Sequence, residues 1–360
     1  MSRGSLATAA TTLAVLVQAA PGAAQEPRYA LNLNLTGAGV YDDNIYFARA
    51  NPVGGVVMRF RPAATGRYRV TEDFSLDATY SFDADYYPSQ PELSDPFASH
   101  GGALGAHHAL GERTTVHAGL QRALSANAGD LFGAGGLEMG RLQGSVWGAS
   151  AGVSRRISKS GTAAADYQYQ TVTYGGSDTS RTHGIALSYS QQLAPRTEMS
   201  LGFGPRFVDG WRTTYASASV QHRLERGALS LAYGRSRYPV PGSAVDTANI
   251  TLTADFRLSR TVELSASPSY YTHRYGGATR DGRAWRVMFS SAWQLRPDLA
   301  LRASYQHVRQ DSGPFDPPSV RSLPWIARNL LAVSFSVGVG RPRQATANSG
   351  IGPMNTGAAR

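Results

Sequence analysis

The stretch FSLDATYSFDADYY, residues 74–87, alternates large apolar or small residues with acids and hydroxyls. Phe74, Leu76, Ala78, Tyr80, Phe82, Ala84 and Tyr86 share one parity, and Ser75, Asp77, Thr79, Ser81, Asp83 and Asp85 share the other. A β-strand sends successive side chains to opposite faces, so this segment has one apolar face and one wet, charged face. Helical spacing would mix the two classes around a cylinder. Such a strand needs an apolar medium on one side and water on the other.

The same division recurs along the chain. Tyr29, Leu31, Leu33, Leu35 and Tyr41 oppose Asn32, Asn34 and Thr36, while Met199, Leu201, Phe203 and Phe207 oppose Glu198, Ser200 and Arg206. Ile250, Leu252, Ala254, Phe256 and Leu258 oppose Thr251, Thr253, Asp255 and Arg257, and Trp285, Val287, Phe289, Trp293 and Leu295 oppose Arg286, Ser290 and Gln294. Short polar turns at 71–73, 111–113, 158–161, 194–196, 225–227, 259–261 and 296–298 follow every second strand. Longer Gly/Pro/Asp-rich loops such as DDNIYFARANP and VRQDSGPFDPPSVRSLP separate them.

This pattern predicts an all-β fold, a transmembrane antiparallel up-and-down β-barrel of about 16 strands with seven short turns, eight long loops and both ends on the short-turn side. The first strand then pairs with the last, near Leu331–Val339. Rings concentrate in two belts, with Tyr41, Tyr86, Trp147, Phe207, Tyr270, Trp285 and Tyr305 toward the long loops. Tyr68, Phe74, Tyr189, Phe256, Trp293 and Phe335 lie toward the short turns, matching the two interfaces of a membrane. A β-sandwich or solenoid would hide its apolar faces against each other and has no need of belts. Pro62, Pro205 and Pro268 fall inside proposed strands and should mark bulges or ends, so counts of about 14 or 18 also fit.

Residues 1–24 read as a secretory signal peptide: Arg3, an apolar run from about Leu6 to Val17, then Gly22-Ala23-Ala24 before the cleavage point. The run is too short to span a bilayer. The barrel then covers 25–340, and the aperiodic segment 341–360 reads as a disordered periplasmic tail. Cysteine is absent, which excludes disulfides, thiolate metal sites and a lipid-carrying N-terminal cysteine.

The export signal, the YDDNIYF at Tyr41–Phe47 and the end-to-end alternation together resemble the outer-membrane β-barrel porin families of Gram-negative bacteria, some of whose members are associated with exopolysaccharide export. The resemblance implies a bacterial outer-membrane location in contact with lipid and lipopolysaccharide. It implies as partners either further copies of the chain or periplasmic export proteins. The longer signatures of the general porins are not present. In those porins the third loop folds inward, which by resemblance sets Asp130 and Glu138 of the 125–140 loop against Arg59 and Arg61; an external glycine-rich loop is the alternative.

The wet parity carries the charge. Arg59, Arg61, Arg67 and Arg69 lie on the strand beside Asp77, Asp83 and Asp85, followed by Asp166, Glu198, Arg206, Arg223, Asp255, Arg257, Glu263, Arg286 and Arg302. Either these pair across neighbouring strands and fix register, or unpaired arginines line the pore and favour anionic solutes. Arg235 and Arg237 share the lipid-facing parity and would meet lipopolysaccharide phosphates. The Asp42-Asp43-Asn44 cluster would suit a hard cation or an ordinary polar turn, and it lacks calcium-loop spacing.

The eight histidines are scattered. A rim pair of His100 with Asp85, or of His273 with Asp281, is the only arrangement that would suggest catalysis. There is no phosphate-cradling glycine loop, CxxC or HExxH. The basic excess is dispersed in place of forming a nucleic-acid patch. The expectation is a non-enzymatic channel for small hydrophilic, anionic solutes, with no catalytic residues, metal or cofactor. The alternatives are an outer-membrane component of polysaccharide export or a closed structural barrel.

Overall fold

The computed structural model describes residues 28–126, 135–138, 141–176, 178–275, 281–311 and 325–339. The segments 1–24 and 341–360, read above as a signal peptide and a tail, and Asp130 lie outside the described residues. Period-two alternation yields strands almost throughout: β1 (Tyr29–Asp42), β2 (Gly55–Arg69), β3 (Phe74–Tyr86), β4 (Asp95–Ala109), β5 (Thr114–Ser125), β6 (Gly144–Arg156), β7 (Gly161–Tyr174) and β8 (Asp178–Ala194). They continue as β9 (Thr197–Val208), β10 (Trp211–Leu224), β11 (Gly227–Val240), β12 (Ser243–Arg257), β13 (Val262–Tyr275), β14 (Asp281–Arg296), β15 (Leu299–Gln310) and β16 (Ile326–Val339). Among the described residues a 3-10 turn, Pro91–Leu93, interrupts the pattern.

The strands pair in chain order and close into a barrel through β1 and β16, with register from Leu33 opposite Val339 to Asp42 opposite Leu330. Closure leaves no strand edge whose backbone groups would go unpaired in hydrocarbon. The apolar parity points outward: Leu104, Leu120, Phe203, Leu231, Ile250 and Phe289 are all at least half exposed. Tyr41, Tyr86, Trp147 and Trp285 crown this band at the loop end, and Tyr68, Phe256, Trp293 and Phe335 ring it at the turn end. Among the described residues the apolar cores lie inside the loop end, where Leu137, Val146, Val172, Tyr174, Val240 and Val245 form the largest cluster.

The prolines mark neither bulges nor ends. Beside Pro62, Pro205 and Pro268 the pairing lapses on one side only and resumes in the same register, while the other neighbour keeps its pairing. A strand residue directs its backbone N–H toward one neighbour, so a missing donor weakens one ladder only. Register shifts occur elsewhere, between Asp83 and Asp85, Gln192 and Ala194, and Gln294 and Arg296.

The eight loops are not all long. The β9–β10 link is Asp209 and Gly210, and the β11–β12 link is Pro241 and Gly242. These tight turns use positive φ at Asp209 (49°), Gly210 (83°) and Gly242 (68°), and Gly175 and Gly176 do the same after β7.

In this low sector the wall folds inward. Pairing of β10 with β11 runs only from Leu224 opposite Gly227 to Ala216 opposite Arg235. Beyond that, β10 continues against β9 as far as Trp211, and β11 against β12 as far as Val240. The tip of the β11–β12 hairpin is tucked inside the barrel. Pro239 has the outward parity of Leu229 and Leu231 yet is fully buried. Inward-facing Thr213 of β10 donates to outward-parity Asp246 of β12 at 3.4 Å, and β11 reaches β8 and β9, which are not its neighbours. Arg237, expected at the lipid face, is therefore inside and pairs with Asp246 at 3.5 Å, whereas Arg235 stays exposed. Burial of Tyr238, Val240 and Val245 against Leu137, Val146 and Val172 supplies the driving force.

Candidate functional site

The charged inner wall is largely self-neutralised. Arg59 donates from Nε and Nη2 to the two oxygens of Asp85, both at 2.7 Å. Arg61 holds Asp83 the same way at 2.5 and 2.8 Å. Such forks are the strong form of charge-assisted hydrogen bond, and they follow from register, since Arg59 stands opposite Asp85. Arg67 lies 3.4 Å from Asp77, and Arg257 lies 3.4 Å from Glu263. Arg206 donates to Ser236 at 2.7 Å under the tucked hairpin. Arg69 and Arg302 occupy the same parity, opposite Ser75 and Ala292. Of the twelve wall residues singled out from sequence, Arg223 alone has no side-chain partner among the described residues.

Two histidines join this wall. His107 lies 3.4 Å from Asp77, and His117 Nε2 lies 2.7 Å from Asp166 across β6. The His117–Asp166 contact exists because Gly152 stands between them: a Cβ there would collide with both side chains.

The loop between β5 and β6 crosses to the far wall. Glu138 is buried, and its carboxylate accepts from Arg286 of β14 at 3.0 Å and from Arg328 of β16 at 3.2 Å. Its backbone N–H donates to Gln310 of β15 at 3.2 Å. Gly135 O accepts from His273 Nε2 of β13 at 2.9 Å, and Leu137 fills the apolar cluster between β6–β7 and β11–β12. The described residues 135–138 of this loop thus contact β13 to β16, on the side of the barrel opposite β5. Glu138 meets Arg286 and Arg328, not Arg59 and Arg61, because register has already paired the latter two with Asp85 and Asp83. Gly136 has φ of 63° and lies flat on Tyr271, where any side chain would collide with the ring.

The loop root is pinned on its other side. Arg141 lies 4.8 Å from the Tyr87 ring and donates to Leu93 O at 3.2 Å. Burial raises the Tyr87 phenol above its ordinary pKa against the opposing pull of Arg141.

The Asp42-Asp43-Asn44 cluster is a clasp on the closing seam. Arg328 forks onto Asp42 at 2.6 to 3.1 Å. Asn329 donates its backbone N–H to Asp43 at 2.6 Å. Asn44 donates to Ala327 O at 2.9 Å and to Ala48 O at 2.8 Å. All three side chains are spent on β16 and the loop, which favours the polar-turn reading over the cation reading. Arg328 was not singled out by sequence reasoning, yet it joins the seam clasp to the crossing loop. Its inward parity on the last strand is the only signal that marks it.

The rim pairs that would suggest catalysis are not formed. His273 is buried against Gly135 O, while Asp281 pairs with Arg274 at 3.2 Å. Asp85, the partner sought for His100, is held by Arg59.

The barrel is similar to several solved structures. Salmonella typhi OmpF in complex with daunomycin superposes with a TM-score of 0.55 at 9% identity, covering 86% of this chain and 97% of that one. Pseudomonas aeruginosa OpdQ gives 0.52 at 10% identity, with 88% and 100% covered. Pseudomonas aeruginosa OccK9 gives 0.50 at 13% identity, with 86% and 98% covered. No protein-family model matches the sequence, and no curated protein sequence does. At these identities the likeness establishes the fold, that of the outer-membrane β-barrels, and the exposed apolar band with its two aromatic belts matches that membrane.

Proposed function

We propose that the chain is a porin-like channel of the outer membrane, passing small hydrophilic solutes through a bore narrowed by the β5–β6 loop. The observation that carries this reading is the placement of residues 135–138 across the lumen, fixed by Glu138 to Arg286 and Arg328. A barrel of about sixteen strands is wide enough for an aqueous passage unless something fills it. Among the described residues the contact of the loop with β14–β16 is polar and charged, through Glu138, Arg286 and Arg328, the kind of lining that suits hydrophilic solutes. The wall argues for size selection at this level, since the arginine forks on β2 are neutralised by β3.

A second reading, a barrel closed at rest that serves polysaccharide export, draws on one feature. The tucked β11–β12 tip and Leu137 form an apolar plug on the other side of the bore. Single-channel recording of the refolded protein in a planar bilayer under a salt gradient separates the two. Steady conductance supports the channel, whereas silence from a demonstrably folded barrel sinks it in favour of the closed form.

A further inference from the structure

The positive charge left over on the inner wall is concentrated at the short-turn end. Arg156, Lys159, Arg196 and Arg223 surround a recess of about 300 Å3 between the β6–β7 turn, the β8–β9 turn and β10. Arg156, Glu198 and Arg223 have inward parity, shown by register with Thr162, Gln221 and the inner positions of their neighbours, so the recess opens on the bore and not on lipid. The backbone N–H of Arg223 donates to Arg196 O at 2.7 Å, which holds these two residues side by side. Four cations thus face the single carboxylate of Glu198.

Among the described residues none of the four cations has an ion-pair partner. Most of the wall's acids are engaged elsewhere: Asp83, Asp85 and Asp77 by β2, and Asp42 and Glu138 by Arg328 and Arg286. Asp255 of β12 stands beyond Ala228 of β11 in the register line of Arg223, outside the residues that line the recess. Lys159 and Arg196 sit on tight turns, where neighbouring strands offer no opposite residue to neutralise them. The amide of Gln192 and the hydroxyls of Ser160, Thr162 and Ser190 line the same recess and add donors.

We propose that this recess is a binding site for small oxyanions, phosphate-like or carboxylate-like, at the periplasmic mouth. The site rests on the barrel reading above and assigns that channel a solute class. Fixed cations in a concave wall raise the local anion concentration, and arginine forks suit planar or tetrahedral oxyanions. Anions would then be gathered at the turn end, while the loop end sets the size limit.

The test is isothermal titration calorimetry of inorganic phosphate into the refolded full chain in phospholipid-free detergent, which does not depend on conduction. The unaltered protein is expected to bind. Arg196→Ser/Arg223→Ser is expected to bind at least about tenfold more weakly, the loss of one to two charge-assisted contacts. Lys159→Ser, on an exposed turn where folding is not at stake, is expected to bind about threefold more weakly. Arg260→Ser, an exposed arginine on the β12–β13 turn, should leave binding unchanged.

No heat from the unaltered protein overturns the site, as does equal binding by the double variant with normal folding. Doping the micelles with phosphatidylglycerol distinguishes the source of the anion. Full competition would assign the cations to lipid headgroups and overturn the lumen site. Binding by a barrel that proves silent in bilayers would leave the site standing and remove the channel.

Discussion

Glu138→Ala tests the crossing loop most directly. The Glu138 side chain is 8% exposed, and its partners Arg286 and Arg328 are 19% and 14% exposed, so the contacts are shielded though not dry. Removing one member of a buried pair costs about 3 to 5 kcal/mol when a charge is left uncompensated. Here compensation remains, because Arg328 keeps its fork on Asp42 and Arg286 keeps the Tyr271 ring at 5.8 Å. That reduces the loss to about 2 kcal/mol. The ratio of undocked to docked loop should then rise about 30-fold. In single-channel records this is a matching rise in dwell time at a wider level relative to the narrow one. Glu138→Gln keeps the oxygen acceptor without the charge and should fall between. A ratio within about threefold of the unaltered protein, from a barrel with normal heat-modifiable migration, would refute the claim that Glu138 holds the constriction.

Arg61→Ala leaves Asp83 buried without its fork and should lower stability to urea in micelles by about 2 kcal/mol, whereas the double change Arg61→Ala/Asp83→Ala should cost less than the single. Gly152→Ala should force His117 and Asp166 apart and lower the unfolding midpoint, by about 1 to 3 kcal/mol of overpacking. Leu231→Arg places a charge on the outward band and should destabilise the folded state in bilayers by about 2 to 4 kcal/mol; an unchanged value would mean that this face does not meet hydrocarbon. The chain has no cysteine, so Thr213→Cys/Asp246→Cys gives a clean cross-link test of the tucked hairpin. A short bis-maleimide should bridge the two cysteines, and failure to cross-link them would place the β11–β12 tip back in the wall.

The alternation of residues 74–87 and its recurrences determined the strands, which side chains face outward and which inward, and the closure of β1 on β16. These follow from a period of two, a property of each strand taken alone. The aromatic belts and the seven short turns were equally legible, because each rests on residues close in sequence. The pairing of Arg59 with Asp85 and of Arg61 with Asp83 was one of two open readings; only register decided it, by placing the two strands' inward residues opposite each other. The partners of Glu138, the clasp of Asp42 on Arg328 and the inward placement of Arg237 were not legible. Each joins residues far apart in the chain or reverses a face that parity had assigned, and parity describes a strand that stays in the wall. Tertiary structure decided them because the wall loses its β10–β11 pairing near the rim, where burying an apolar tip inside the bore outweighs continuing the ladder.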